Sequence, residues 1–335
     1  MPSVPRIITM RNRRRSRKNR NPSGRLGLGC LALMSIIAAT TLLLAAGIYT
    51  TMVAGLPSLS ELPHLLDPPH GLLLQPTRIY DRTGEHILFS LENPAASQRE
   101  FLTLDDSQEN FLPPSLVLAT IAASDPSFWQ NPGFTIAGVT RQDHPTLAQR
   151  LVSELMLWDQ PAGIKRSLQE RFLAAQITRR YGREKILTWY LNSADYGRLT
   201  YGAEAAAQVY FGKPAVQLNL AESALLAVTA EAPALNPHVA PEIARQRAMS
   251  LLDVMSRQGL ISKEQVQKAK DNPLTFKDPV AHETNPAPAF VNLALREASE
   301  TIPLKRLERG GFDLVTTLDY ELQVQSACAA GVQLA

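Results

Sequence analysis

From residue 114 onward one signal repeats along the chain: apolar side chains recur every three or four positions, with short polar breaks between runs. "SLVLATIAA", "TLAQRLVSELML", "RSLQERFLAAQITRRY", "REKILTWYLN", "GAEAAAQVYF" and "LAESALLAV" all carry that spacing and predict helices. Asn219 stands three before Glu222 and Ser262 three before Gln265, the spacing of reciprocal N-terminal caps. Upstream, "RIYDRTGEHILFSL" places two short β-prone runs around Arg82-Thr83-Gly84 and predicts a hairpin. No sheet-forming run of comparable length interrupts the helices, so the expected class is mainly α. After "GLISKEQVQKAK" the prolines of "DNPLTFKDPVAHETNPAPAF" break the pattern. A short helix, "FVNLALREASETI", follows, then a strand and helix in "GGFDLVTTLDYELQVQSACAAGVQLA", which read as the opening of another region.

The N-terminus follows a different rule. No charged residue occurs from Leu26 to Ser60, and "LGLGCLALMSIIAATTLLLAAGIYTTMVAG" exceeds the roughly 20 residues that cross a hydrocarbon core. A cleaved signal has an apolar stretch of only about 7–15 residues, so a retained anchor is expected. Charge agrees. The net +3 conceals a basic tail, with nine of the 34 Lys+Arg before residue 26 and no acid before Glu61. Positive charge stays inside, which predicts a cytoplasmic tail and an exported main domain. An apolar span directly behind the arginines excludes a nucleic-acid arm, and no nucleic-acid partner is expected. The two cysteines, Cys30 in the span and Cys328 near the end, predict no disulfide. "AGLPSLSELPHLLDPPHGLLLQP" is proline-rich without a sustained period and reads as a tether leaving the membrane.

The order of motifs in the exported part resembles glycosyltransferase family 51, the peptidoglycan transglycosylase domain of class A penicillin-binding proteins. "YLNSADYGRLTYGAEAAAQVYFGKPAVQLNLAESALLAVTAEAPALNP" is similar to the family's Tyr-Leu-Asn, Glu-Ala-Ala-Ala-Gln, Tyr-Phe-Gly-Lys and Leu-Ala-Glu-Ser-Ala-Leu-Leu-Ala blocks, in order and spacing. "RIYDRTGE" resembles its entry hairpin, and "LVTTLDYELQVQSA" its link to a transpeptidase domain. That domain's Ser-x-x-Lys and Lys-Thr-Gly signatures do not occur in this sequence, so the resemblance is to a chain truncated before it, and penicillin binding is not expected.

The resemblance implies a lysozyme-like helical glycosyltransferase domain with a small hairpin-containing lobe on the membrane side. The division it implies is a basic cytoplasmic tail over 1–25, a signal anchor over 26–54, a tether over 55–77, the glycosyltransferase-like domain over 78–273 and a linker with an incomplete transpeptidase-side region over 274–335. It further implies a bacterial cell membrane, lipid II or nascent glycan as substrate, and action in cell-wall assembly, with another cell-wall synthase as a candidate partner. An apolar patch near residues 111–118 or 134–139 would touch the membrane, core packing being the alternative.

The family's reaction joins a sugar 4-hydroxyl to a lipid-linked glycan, inverting the anomeric centre and expelling a lipid pyrophosphate. A carboxylate must take the acceptor proton, and cations must neutralise the leaving group. Where the family has Glu-Asp-x-x-Phe this chain reads Ser124-Asp125-Pro126-Ser127-Phe128. A serine hydroxyl alone is no base near neutral pH. Asp125 is a substitute only if it reaches, and one helical step turns a side chain by about 100°; Asp143 and Glu154 are further candidates, and a cap or ion pair is the other role for Asp125.

The Gly-Gly-Ser-Thr-Ile-Thr-Gln-Gln block aligns with residues 143–150 and keeps Thr146 and Gln149, while the lysine after it is Ser153. In Arg-Lys-x-x-Glu the arginine is Arg166 and the glutamate Glu170, but the lysine is Ser167. The mobile loop before residue 143 is about a dozen residues short of the family pattern. Ser124, Asp125 and Glu170 are therefore the candidate catalytic positions, with Phe128, Thr146, Gln149, Arg150, Lys165 and Arg166 as candidate substrate contacts. Arg150 and Lys165 would stand in for the lost lysines, a solvated basic face being the alternative. His144 reads as part of a surface loop, and Glu204 and Glu222 as ties between helices. No protein metal site is implied; a divalent cation accompanying the pyrophosphate is the one cofactor left open. Three functions stay open: an impaired or non-catalytic family member that binds lipid II or glycan, an active glycosyltransferase with a substitute carboxylate, and a fragment of a larger bifunctional chain.

Overall fold

The computed structural model describes residues 22–69, 71–96, 99–140, 144–281 and 285–334. Most of the basic tail and the candidate Asp143 lie outside these residues. The chain divides at Leu56 into two units.

The first unit is helix α1, Pro22–Val53. Its Cys30–Thr51 stretch has a mean hydropathy of 2.3 over 22 residues. At 1.5 Å per residue that is about 33 Å, enough for a hydrocarbon core of about 30 Å. The hydroxyls of Ser35, Thr40, Thr41 and Thr50 all return to carbonyls of their own helix, so the span leaves these donors satisfied without water.

The second unit begins with a helix where a tether was expected. The segment read as a tether forms helix α2, Glu61–Leu66, with Leu62 and Leu66 buried. Trp189 Nε1 donates to Asp67 at 2.7 Å and Lys185 pairs with the same carboxylate, so two apolar side chains and one acid tie this stretch to the domain.

Strands β1, Thr77–Tyr80, and β2, Ile87–Leu91, form the expected hairpin. Its turn is organised by Asp81, whose carboxylate accepts from the Thr83 hydroxyl and from the amides of Glu85 and His86. The chain beyond residue 273 is not separate from it. Strand β3, Asp313–Val315, lies parallel against β1 on the side away from β2, with Ile79 opposite Leu314. Thr77 Oγ1 donates to Leu307 O at 2.6 Å, and Arg309 Nη1 to Ser193 O at 2.7 Å. The boundary drawn from the proline run therefore falls inside one packed unit, because β3 completes the sheet and Arg309 is buried against the helical core.

The helical part comprises α3, Pro114–Ser124, α4, Leu147–Leu151, α5, Ile164–Ser193, α6, Ala203–Phe211, α7, Leu220–Glu231, α8, Pro241–Arg257, and α9, Lys263–Asp271. Helices α10, Pro288–Ser299, α11, Leu304–Arg309, and α12, Tyr320–Leu334, complete the chain. Val291 of α10 joins Ile79, Leu88 and Leu91 beneath the sheet. Both caps read from sequence form, at Asn219 and at Ser262. The two helical runs around Tyr181 join as α5 across Gly182, whose positive φ accommodates a kink. "TLAQRLVSELML" becomes α4 followed by a π-helical turn over Val152–Met156.

Alanines recur along α7, and Ala119 and Ala122 lie on α3, so these two helices pack closely; α7 also packs on α8, and α4 on α5. Of the two apolar patches, the first belongs to the core, with Leu112 and Leu116 buried, while Ile136 in the second is exposed.

The turn after α5 is strained. Gly197, Arg198 and Leu199 all have positive φ, and the Asn93 amide holds the turn by donating to Arg198 O. A Cβ on Gly197 would lie 2.4 Å from Pro233 O, just beyond the end of α7. Gly197→Ala should therefore lower the melting temperature of the second unit, with a loss of about 1–3 kcal/mol in urea unfolding; an unchanged midpoint would show that the 230–233 segment yields freely.

Candidate active site

Helices α3 and α7 run parallel and in step. Ser115 Oγ lies 2.8 Å from Ser223 Oγ near their starts, and at their ends the Ser124 hydroxyl donates to Glu231. Both C-termini thus reach one place, where unpaired carbonyls and the negative ends of two helix dipoles gather. Glu231 adds a full negative charge at the last residue of α7. Arg150, from α4, answers it with a bidentate pair: Nη1 to Oε1, and Nη2 to Oε2 at 2.8 Å. Arg150 Nε also donates to His144 O, which holds the guanidinium plane in place.

These groups wall a cavity of about 720 Å³. From α4 and the π turn, Arg150, Ser153 and Glu154 line it; their spacing places them on one face. Arg166 and Tyr190 line it from α5, and Lys305, Arg306 and Arg309 come from the chain beyond the family-like core. The walls carry five guanidinium or ammonium groups against the carboxylates of Glu154, Asp195 and Glu231. Arg309 Nη2 pairs with Glu154 at 2.6 Å, whereas no ion pair involves Lys305, Arg306 or Arg166 among the described residues. Arg166 instead donates to Ser153 Oγ at 2.9 Å and to the carbonyls of Ser153 and Leu157. Among the described residues no group of three His, Cys, Asp or Glu side chains is placed to hold a metal ion.

The sequence candidates separate into two sets. Arg150 and Arg166 line the cavity, and Lys165 is exposed but lies off it. Ser124 is buried and outside the lining, its hydroxyl donating to Glu231, which lines it. Asp125 is buried behind it, accepting from Asn131 Nδ2 at 2.8 Å, from Ser127 Oγ and from the Leu147 amide. That is a capping role, and burial raises its pKa above the ordinary carboxylate value against those hydrogen bonds.

Phe128, Thr146 and Gln149 are also buried off the cavity. Phe128 packs edge-on against Trp129, Thr146 caps α4 and donates to Gly133 O, and Gln149 donates to Glu170. Glu170 lies 2.7 Å from His144 Nδ1 and does not line the cavity. His144, read as a surface loop residue, instead lines the cavity between Glu170 and Ser153. Glu204 accepts from the Ala215 amide and Glu222 pairs with Lys213, both ties of the expected kind.

The residue that sequence reading missed is Glu231. The predicted run "LAESALLAV" stops at Val228, and only the structure carries α7 on to Glu231, where an acid opposes the helix dipole by about 0.3–1 kcal/mol and so marks a position under another demand.

Electrostatics sharpen the site. Burial pushes the Tyr190 hydroxyl up to about 12, with Arg150 pulling it down, so it stays a neutral phenol near the charge of Glu231. Burial, with Arg309 nearby, pulls Arg306 down to about 10, still a cation at neutral pH. Burial also raises Asp195, against the Gly197 amide and the Arg309 charge, and raises Glu308 beside it. A raised carboxyl binds its proton more tightly in the native than in the unfolded chain. The stability it contributes is present below the ordinary carboxylate value and is lost as pH rises through the folded value. Urea midpoints should therefore show a falling component from about pH 4 upward. Asp195→Asn, which keeps an acceptor for the Gly197 amide, should flatten that limb; an unaltered profile would assign it elsewhere.

Comparison with known proteins agrees with this architecture. A family model described as Transglycosylase matches residues 89–256. Penicillin-binding protein 1A of Rickettsia felis is 28% identical over 311 residues, covering 88% of this chain and 37% of that protein. Penicillin-binding protein 1A of Aquifex aeolicus is 34% identical over 216 residues, covering 61% and 28%. A crystal structure of Penicillin-Binding Protein 1A from Haemophilus influenzae covers 68% of this chain and 25% of its own, at 21% identity and a TM-score of 0.38, too low to bear on the fold. The chain thus spans well under half the length of these relatives. With about half of its residues inside the matched region, the protein belongs to the transglycosylase family, the glycosyltransferase domain of class A penicillin-binding proteins.

Proposed function

We propose that this protein is a membrane-anchored peptidoglycan glycosyltransferase whose exported cavity engages lipid II or nascent glycan during cell-wall assembly, with turnover impaired by the loss of the family's base. The basic tail before α1 favours a cytoplasmic N-terminus and an exported main unit. Lys305, Arg306 and Arg166 supply positive charge for a lipid diphosphate, and any divalent cation would arrive with that group. Another cell-wall synthase is the natural partner class for a member acting beside active enzymes.

The observation that carries the impaired reading is the state of Ser124. It is buried, its hydroxyl already donates to Glu231, and Asp125 is engaged as a cap, so α3 brings no carboxylate to the cavity. Loss of a positioned general base costs about 10²- to 10⁴-fold in rate. A second reading, an active enzyme with a substitute carboxylate, is favoured by Glu231, which lines the cavity and meets the Ser124 hydroxyl.

The test is polymerisation and binding of labelled lipid II by the detergent-solubilised full chain beside a Ser124→Glu variant. Lipid II should bind both, with glycan strands forming at least about 10²-fold faster in the variant. Failure of the native chain to bind lipid II would sink the substrate assignment, and equal rates would sink the impairment.

A further inference from the structure

We infer that Glu231 is the carboxylate that accepts the acceptor proton in this chain, the base having passed from the end of α3 to the end of α7. The inference rests on the lipid II reading above. Three observations carry it. Glu231 lines the cavity, whereas Ser124 and Asp125 do not. It is the carboxylate that meets the Ser124 hydroxyl, so its oxygens stand one hydrogen bond from the position where the family's glutamate would project. Its side chain is 21% exposed, which leaves it open to a ligand while Ser124 and Arg150 fix its orientation.

The occupancy of its oxygens fits the role. A carboxylate offers about four lone-pair sites. Ser124 and Arg150 Nη1 take two on Oε1, and Arg150 Nη2 takes one on Oε2, leaving a site on Oε2. A carboxylate clamped by a guanidinium is a poor base, but Arg150 faces the same cavity. A diphosphate entering there competes for the guanidinium through the same forked geometry, and that exchange frees Glu231 when the leaving group is in place.

The step then balances. The acceptor 4-hydroxyl oxygen forms its bond to the donor anomeric carbon, and the bond from that carbon to the diphosphate oxygen breaks. The bonding pair leaves with the lipid diphosphate, which the cavity cations hold, and the hydroxyl proton passes to Glu231.

The experiment measures lipid II polymerisation and lipid II binding by the whole chain and four variants. Glu231→Gln should cut residual turnover by about 10²-fold or more with lipid II affinity little changed. Glu231→Asp keeps the charge for Arg150 but shortens the reach; it should keep the native melting temperature and still lose turnover. Ser124→Glu combined with Glu231→Gln should polymerise at the rate of Ser124→Glu alone, which also shows that the amide is tolerated in the fold. Turnover in Glu231→Gln or Glu231→Asp equal to native would overturn the assignment. So would a native chain that binds lipid II and makes no glycan, an outcome that leaves the binding reading intact. Absence of lipid II binding in the native chain would remove both.

Discussion

The site depends on one ion pair placed where two helices end together. Parallel packing of α3 and α7 gathers two sets of unpaired carbonyls and the negative ends of two dipoles, and Glu231 adds a whole charge to them. Without a cation that corner would be unfavourable. Arg150 supplies it from α4, and α4 is in turn fixed by the Thr146 cap and by Gln149 reaching Glu170 on α5. A local electrostatic requirement thus ties three helices to a fourth and sets the geometry of the cavity wall.

Much of this was legible in the sequence, because the relevant signals are local. The hairpin around Arg82-Thr83-Gly84 and the Asn219 and Ser262 caps act within a few residues, and all three form as read. What escaped depends on contacts distant in sequence. Leu62 and Leu66 look like part of a proline-rich tether until α5 presents Trp189 and Lys185 to Asp67. The chain beyond residue 273 looks detached until β3 finds β1 across more than two hundred residues. Glu231 is the same kind of case: nothing near it in sequence announces Ser124 or Arg150.

The candidate residues separate along the same line. Thr146, Gln149, Phe128 and Glu170 were picked out because the family's motifs contain them, yet here they form the buried layer that carries the cavity-facing groups. Ser153 and Ser167, expected from the resemblance to stand where the family has lysines, act as acceptors, Ser153 for Arg166 and Ser167 for Arg171 at 2.6 Å. Positive charge reaches the cavity from elsewhere, with Lys305, Arg306 and Arg309 contributed by the downstream segment. Charge balance in a cleft constrains the sum of its groups more tightly than the element each comes from.

The parallel strand β3 bears on what counts as the unit of inheritance and excision. Residues 89–256 are the part that matches the family model, but they contain most of β2 without β1, and the helical core without α2 or α11. A polypeptide cut to those limits would present an unpaired strand edge and would expose the buried faces against which Leu62, Leu66 and Leu307 pack. It would also lack one wall of the cavity. The smallest self-sufficient piece is therefore larger than the recognisable one, and its two outer segments, far apart in sequence, must be gained or lost together.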